Sequence, residues 1–461
     1  MTGFFHFKQF KDRILMTNES GRYMFLKPDD FQHFIQEPAV LTDDLKEKLK
    51  SNLFWTDESQ ETFIRQGAFM LRDAENYLFE GTSLFIFAIT NECNNRCVYC
   101  QAHGTAIPKR MSFETADQAL LRIQECPNNN ITIEFQGGEP LTHFPLIRHV
   151  IESSRTILSG KNVSFTIVSN LSLLTDEIAA FIKDNNITIS TSLDGPQYLH
   201  DFNRPQHNKK GSYDGLLSGL ELLSRYGITA GAIQTTTAQS LQYPVEIVNA
   251  YVHLGLRHIF LRPLTRLGEA ARSWKNIGYT ADEYLSFYRR ALDEIIRQNT
   301  LGNKLVEYQA TIFLSKILNG KAVNYMELRS PCGASIGQMA ITASGNVYTC
   351  DEGRMMAEMG DEAFLLGNVY TSGYEEWLQT PCCKAVSAAS LLETQPDCCD
   401  CVFKPYCGIC PVINYALNGD ITKISREKCK IYAGILDILF EYLLDENPET
   451  LSMFSEWSEQ T

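Results

Sequence analysis

Leu84-Phe-Ile-Phe-Ala-Ile-Thr90, followed at once by Asn91-Glu-Cys93-Asn-Asn-Arg-Cys97-Val-Tyr-Cys100, decides the architecture of this chain. The first stretch is an unbroken apolar run of strand length, which suits a strand buried on both faces. The second places three thiols in the loop directly after it. Working outward, strand-like runs recur at Ile131–Gln136, Val163–Ser169, Ile187–Leu193, Ala230–Thr236 and His258–Arg262. Helix-periodic stretches follow at Phe113–Glu125, Phe144–Leu158, Thr175–Asn185, Tyr213–Tyr226, Pro244–Leu254 and Ala281–Gln298. The last opens with Thr280-Ala-Asp-Glu283, a capping-box sequence. Six β–α units with apolar strands predict an α/β fold, a parallel sheet covered by helices and either doubly wound or barrel-like. Chemistry in such sheets gathers at the C-terminal ends of the strands. The cysteine loop lies at such an end.

The flanking segments read differently. Residues 1–80 carry strand-like runs at Phe4–Lys8, Arg13–Thr17 and Arg22–Lys27, with turn residues Asn18-Glu-Ser-Gly21 between the last two. Helical stretches follow near Pro28–Ile35 and Thr42–Leu53. This is a small α+β accessory module, too small for a catalytic domain. Residues 81–325 hold the β–α units, 326–430 are loop-rich and crowded with cysteine, and 431–461 read as a helix with a polar acidic tail.

The 461 residues are 44% apolar and 21% charged, so a core can form without cross-links. Lys and Arg number 41 against 55 Asp and Glu, a net charge of −14 that argues against general affinity for nucleic acid or anionic membranes. No apolar run approaches the ~20 residues of a membrane span, and Met1–Lys8 lacks the zones of a signal peptide. A cytoplasmic protein is expected. Of the 14 cysteines, three lie near position 95 and ten between Cys332 and Cys429, while Cys126 stands alone in a helical pattern as core packing. In a reducing compartment such cysteines are metal ligands or buried apolar residues rather than disulfides.

A [4Fe–4S] cluster takes four thiolates, so three leave one iron open to an outside ligand. The alternative is a zinc knuckle, but structural zinc wants four closed ligands, and His103 has no partner at a suitable spacing. Cys93-x3-Cys97-x2-Cys100, with Tyr99 before the last thiol, resembles the radical S-adenosylmethionine (SAM) superfamily. That resemblance implies that SAM chelates the open iron and that one electron releases a 5′-deoxyadenosyl radical. Gln136-Gly137-Gly138-Glu139-Pro140 is similar to the family's segment for the SAM amino group; its glycines let backbone approach a ligand. Ser169 and Asn170, Ser192 and Asp194 resemble positions that contact the ribose or carboxylate of SAM. Arg204 matches an arginine that pairs with the SAM carboxylate, and Tyr99 is placed to border the adenine.

The C-terminal pattern is Cys332-x12-Gly345-x4-Cys350, then Cys398-x2-Cys401-x5-Cys407-x2-Cys410, then Cys429. It resembles the SPASM module of radical SAM peptide maturases. By that match Cys398, Cys401, Cys407 and Cys429 hold an outer auxiliary [4Fe–4S] cluster, and Cys332, Cys350 and Cys410 hold an inner one. The last spacing is x2 where the family has x3, and no linker cysteine precedes Cys332. The fourth inner ligand is therefore Cys382, Cys383 or Cys399, or is missing. Asp351 matches a catalytic base of sulfatase-maturing relatives; a solvated loop acid is the other reading. The front module resembles peptide-clasp domains, and its stretch Arg13–Leu26 resembles maturases of the His-Xaa-Ser peptide system.

These resemblances imply a partial (β/α)6 TIM-like barrel with a small α+β N-terminal module and a SPASM-type domain. They imply a maturase that takes hydrogen from a precursor peptide or protein, served by a flavodoxin- or ferredoxin-type reductant, giving a cross-link or an oxidised side chain. Formylglycine formation in a sulfatase is the alternative within enzymes. A multi-cluster electron-transfer protein and a zinc-binding interaction protein are the alternatives outside this chemistry.

Overall fold

The structure, a computed structural model, describes residues 1–101, 108–321 and 327–460. His103 and the expected 325/326 boundary lie outside them. Three short strands come first: β1 (His6–Phe10), β2 (Arg13–Thr17) and β3 (Tyr23–Leu26), paired antiparallel in that order. This sheet docks on the cysteine-rich region rather than standing apart. Thr17 Oγ1 donates to the Val402 carbonyl at 2.7 Å, Lys404 Nζ pairs with Glu19 at 2.7 Å, and Tyr406 hydroxyl donates to the Gly21 carbonyl at 3.0 Å. The helix Gln60–Ala74, absent from the sequence reading, follows; none of its residues is buried.

The main sheet begins with β4 (Leu84–Thr90), buried at every residue as its apolar run requires. It continues with β5 (Asn130–Gly137), β6 (Asn162–Val168), β7 (Thr188–Ser192), β8 (Ala230–Thr235), β9 (His258–Arg262) and the short β10 (Val306–Glu307). All are parallel, each beside its successor in the chain. Strict sequential order selects the barrel-like alternative: a doubly wound sheet reverses its order at a switch point. The barrel is partial, because β4 pairs on its other side with β11 (Gln338–Thr342), which leads into antiparallel β12 (Asn346–Tyr348) and β13 (Leu365–Asn368). The cysteine-rich region thus contributes a parallel strand to the barrel sheet, in register from Gln338 opposite Leu84 to Thr342 opposite Ala88. Gly345 takes the turn between β11 and β12 with φ of +82°, which glycine adopts without steric penalty.

On β5 the residues Ile131, Ile133 and Phe135 are buried toward the helices, so Thr132, Glu134 and Gln136 face the other way, into the barrel. Thr280 and Glu283 form the expected capping box. Cys126 is buried in the main core. Helices Gln197–Asn203, Gly268–Ile277 and Tyr308–Asn319 add to those read from periodicity. The acidic tail is not a tail. Residues after the helix Arg426–Asp445 form a second helix, Pro448–Ser458, with Phe454 and Trp457 buried. Asn447 caps it and Pro448 opens it, the standard start signal. Burying each ring contributes about 2–3 kcal/mol, which is why the polar, acidic stretch packs as a helix and does not trail as a tail.

Candidate active site

The three thiols of the β4 loop border one cleft of about 210 Å³ at the C-terminal ends of the barrel strands. With them stand Tyr99, Gln136, Gly137, Gly138, Glu139, Ser169, Asn170, Ser192 and Arg204. Asp194 and Pro140 are not part of this lining; both are buried.

The glycines act on protein backbone. A Cβ at Gly137 would lie 2.0 Å from the Thr90 carbonyl oxygen, and one at Gly138 would lie 2.1 Å from that of Glu92. Gly138 N–H donates to Thr90 at 2.7 Å and Glu139 N–H to Glu92 at 2.7 Å. The Gly-Gly segment is therefore pressed against the stem of the cysteine loop. Gly138→Ala must push that stem away, at a cost of about 1–3 kcal/mol, and is expected to lower iron loading. Iron per chain and the urea midpoint check this; full loading with an unchanged midpoint would sink it.

Glu139 is buried and takes up three donors: Leu141 N–H at 3.1 Å, Ser169 hydroxyl at 2.7 Å and Asn170 N–H at 2.8 Å. It ties the ends of β5 and β6 together. Burial raises its pKa despite those bonds. Asn170 Nδ2 then donates to Asn94 Oδ1 at 2.9 Å, and Asn94 Nδ2 to Ser172 Oγ at 2.6 Å, anchoring the cysteine loop from that side. On the other side Arg96 N–H donates to Pro205 at 2.7 Å and Val98 N–H to Asn203 at 2.9 Å.

Beneath the cleft, Asp194 is fully buried. It accepts the Tyr99 hydroxyl at 2.5 Å and the Thr235 N–H at 3.2 Å, and lies 3.2 Å from Arg204 Nε. Arg204 also stands over the Tyr99 ring, 5.3 Å from its centroid. Three residues expected to meet SAM separately are one buried unit. His200 abuts it: Asp194 N–H donates to Nδ1 at 3.4 Å, and Nε2 meets Ser212 Oγ at 3.1 Å. Burial pushes this imidazole down from 6.5 to about 4. The unfolded chain binds that proton near pH 6.5 and the folded one only near 4, so its contribution is intact above 6.5 and is lost as pH falls from 6.5 to about 4. His200→Asn should flatten that limb of the urea stability profile; an identical slope would refute the assignment.

Several lining residues escaped the sequence reading. Thr235, Arg262, Pro263, Leu264 and Thr265 come from the ends of β8 and β9, and Arg354 and Met355 reach the cleft from the cysteine-rich region. Arg262 ends a strand and could have been found by the strand-end rule. Arg354 could not, because only tertiary docking brings it there. Asp351 is held by it, Oδ1 accepting from Nε at 2.8 Å and Nη2 at 2.6 Å.

The donor set fits an open-iron cluster. Of the carboxylates, only Glu139 lines the cleft among the described residues, and it is taken up by its three donors. Burial pushes the Cys93 and Cys97 thiols up to about 12, so ligation must displace protons. Cys398, Cys401, Cys407 and Cys429 line one pocket with Cys410 and Lys428. Cys332, Cys350 and Cys410 are buried in one apolar cluster. Among the described residues no three Cys, His, Asp or Glu side chains close on a single ion. No helix among those residues is long and apolar enough to cross a membrane.

Residues 87–260 match the Radical SAM superfamily. The chain is 33% identical over 182 residues to an uncharacterized protein of Methanocaldococcus jannaschii, a match over 40% of this chain and 63% of that relative's length. It is 23% identical over 367 residues to the serine-type anaerobic sulfatase-maturating enzyme of Bacteroides thetaiotaomicron, covering 74% of this chain and 85% of that enzyme. Among solved structures, anSMEcpe with bound AdoMet and Cp18Cys peptide superposes with a TM-score of 0.67 at 18% identity, over 79% of this chain and 98% of that one. Streptococcus suis SuiB bound to precursor peptide SuiA superposes with a TM-score of 0.57 at 13% identity, over 92% and 98%. Both likenesses are of fold.

Proposed function

Because residues 87–260 match the Radical SAM superfamily, we propose that this enzyme takes hydrogen from a residue of a ribosomally made peptide, leaving a cross-link or an oxidised side chain. The observation that carries this reading is the cleft itself, where the three-thiol loop faces Arg354 and Met355 of the cysteine-rich region. A substrate entering there meets both halves of the protein at once.

When bound, SAM and the cluster on Cys93, Cys97 and Cys100 supply one-electron cleavage of the sulfonium and a 5′-deoxyadenosyl radical. The protein's part is positioning. Gly137, Gly138 and Pro140, with Glu139, set the loop that meets the SAM amino group; Ser169, Asn170 and Ser192 offer polar groups along the same wall. Tyr99 and Arg204 present an aromatic edge and a guanidinium, both fixed by Asp194. Asp351, pinned through Oδ1, keeps Oδ2 for a substrate proton as general base. Cys398, Cys401, Cys407 and Cys429, and Cys332, Cys350 and Cys410, would hold auxiliary [4Fe–4S] clusters, which would supply an acceptor for the electron that the substrate gives up. A flavodoxin- or ferredoxin-type protein supplies the reducing electron, and the β1–β3 module clasps the leader of the peptide as an added strand.

The likeness to sulfatase-maturating enzymes, with Asp351 bonded to the cleft residue Arg354, supports a second reading, formylglycine formation. Anaerobically reconstituted, reduced protein should release 5′-deoxyadenosine from SAM; none, with or without peptide, removes both readings. Mass spectrometry of co-expressed substrate then separates loss of two hydrogens with an internal bond from conversion of Cys or Ser to an aldehyde.

A further inference from the structure

The inner thiol set has three members where a cubane takes four donors. None of the other nearby cysteines is aimed to complete it. Cys382 touches the same apolar cluster from its edge, but its thiol donates to the Ala363 carbonyl at 3.5 Å, and its one charge neighbour is Cys383. Cys383 lies in the main core beside Ser335 and Ser387. Cys399 donates to the Pro396 carbonyl at 3.6 Å and neighbours Cys398 of the outer set.

One carboxylate is within electrostatic reach of Cys332, Cys350 and Cys410 alike: Glu352. It sits in the first turn of the helix Asp351–Glu358, whose cap is Cys350 itself. Its side chain is 16% exposed, and its charged contact is Arg262 Nη2 at 3.5 Å. Among the described residues it accepts no hydrogen bond. The other acid near these thiols, Glu327, is taken up by Lys428 Nζ at 2.7 Å and the Tyr432 hydroxyl at 2.6 Å. At 3.5 Å the Arg262 contact is long for a charge-assisted hydrogen bond, so the Glu352 oxygens keep their acceptor capacity for a stronger partner.

Resting on the auxiliary-cluster reading above, we propose that the Glu352 carboxylate is the fourth donor to the inner cluster, completing Cys332, Cys350 and Cys410. An oxygen donor is harder than a thiolate and exchanges more readily on iron. That iron is the one a competing ligand would reach. Arg262, which lines the cleft, joins this ligand set to the site of chemistry by a single ion pair.

The test uses the full chain with Cys93, Cys97 and Cys100 all changed to alanine, so that only auxiliary clusters remain, reconstituted anaerobically with iron and sulfide. The parent should hold about eight irons, four per cubane. Glu352→Gln should keep the outer-cluster EPR signal and the circular dichroism of the parent. Its inner signal should shift, and mild oxidation should convert that cluster to a three-iron form. Glu352→Cys should resist the same oxidation. Cys382→Ser, Cys383→Ser and Cys399→Ser should leave the inner signal unchanged. An inner signal in Glu352→Gln that superimposes on the parent's, or its loss in one of the serine variants, overturns the assignment alone. A parent with almost no iron overturns the auxiliary-cluster reading and this assignment together.

Discussion

Alanine in place of Cys93, Cys97 or Cys100 will reduce 5′-deoxyadenosine formation by at least about a thousand-fold, an effect of about 4 kcal/mol or more on the rate-determining barrier. The reason is stoichiometric. A cluster held by three thiolates has no reserve donor, and the only carboxylate lining that cleft among the described residues, Glu139, is committed to Leu141, Ser169 and Asn170. The fold should survive, because the loop is also held by backbone hydrogen bonds from Arg96 and Val98 to residues 203–205 and by Asn94. Product chromatography after anaerobic reconstitution, with circular dichroism as the control for folding, gives the answer. Single variants that keep more than a tenth of the parent's activity would remove these thiols from the chemistry.

Asp194→Asn is expected to lower folding stability by about 3–5 kcal/mol, a large share of the roughly 5–15 kcal/mol that holds a domain together. The substitution preserves shape and removes charge. It leaves the Arg204 guanidinium, whose side chain is 11% exposed, beside a neutral amide. Burial and its place over the Tyr99 ring make escape of the guanidinium to solvent costly. Arg204→Met alongside Asp194→Asn should recover part of the loss, because an apolar pair needs no counter-charge. Urea unfolding at neutral pH measures both. A loss below about 1 kcal/mol for the single variant would place the pair in the class of exposed, screened ion pairs.

Much of this site was legible because its signals are local. The strand at Leu84–Thr90, the thiol spacing after it and the Gly-Gly pair at the end of β5 each act through neighbours in sequence. The purpose of the glycines was less legible. Close approach could be read from residue type, but contact with Thr90 and Glu92, about forty-five residues earlier, is a matter of strand pairing. The joining of Tyr99 to Asp194 and Arg204 was hidden for the same reason: Tyr99 follows β4, and the other two follow β7. Arg354 and Met355 were beyond reach because their region reads as loop, and only pairing of β11 with β4 swings it over the cleft. The helix Pro448–Ser458 carried a readable cap, which the count of surface acids obscured.

The grip of the first sheet on residues 402–406 has a consequence in time. Thr17 and Val402 are 385 residues apart in the chain. At a synthesis rate of about 5–20 residues per second, roughly 20–80 s separate the appearance of the two partners. The segment that completes this contact lies between Cys401 and Cys407, two thiols of one pocket. The earliest-made strands therefore wait for a late-made loop between two thiols, and the surface of β2 that meets Val402 stays uncovered until that loop emerges. A chain whose synthesis stops before residue 402 has a front sheet without its dock.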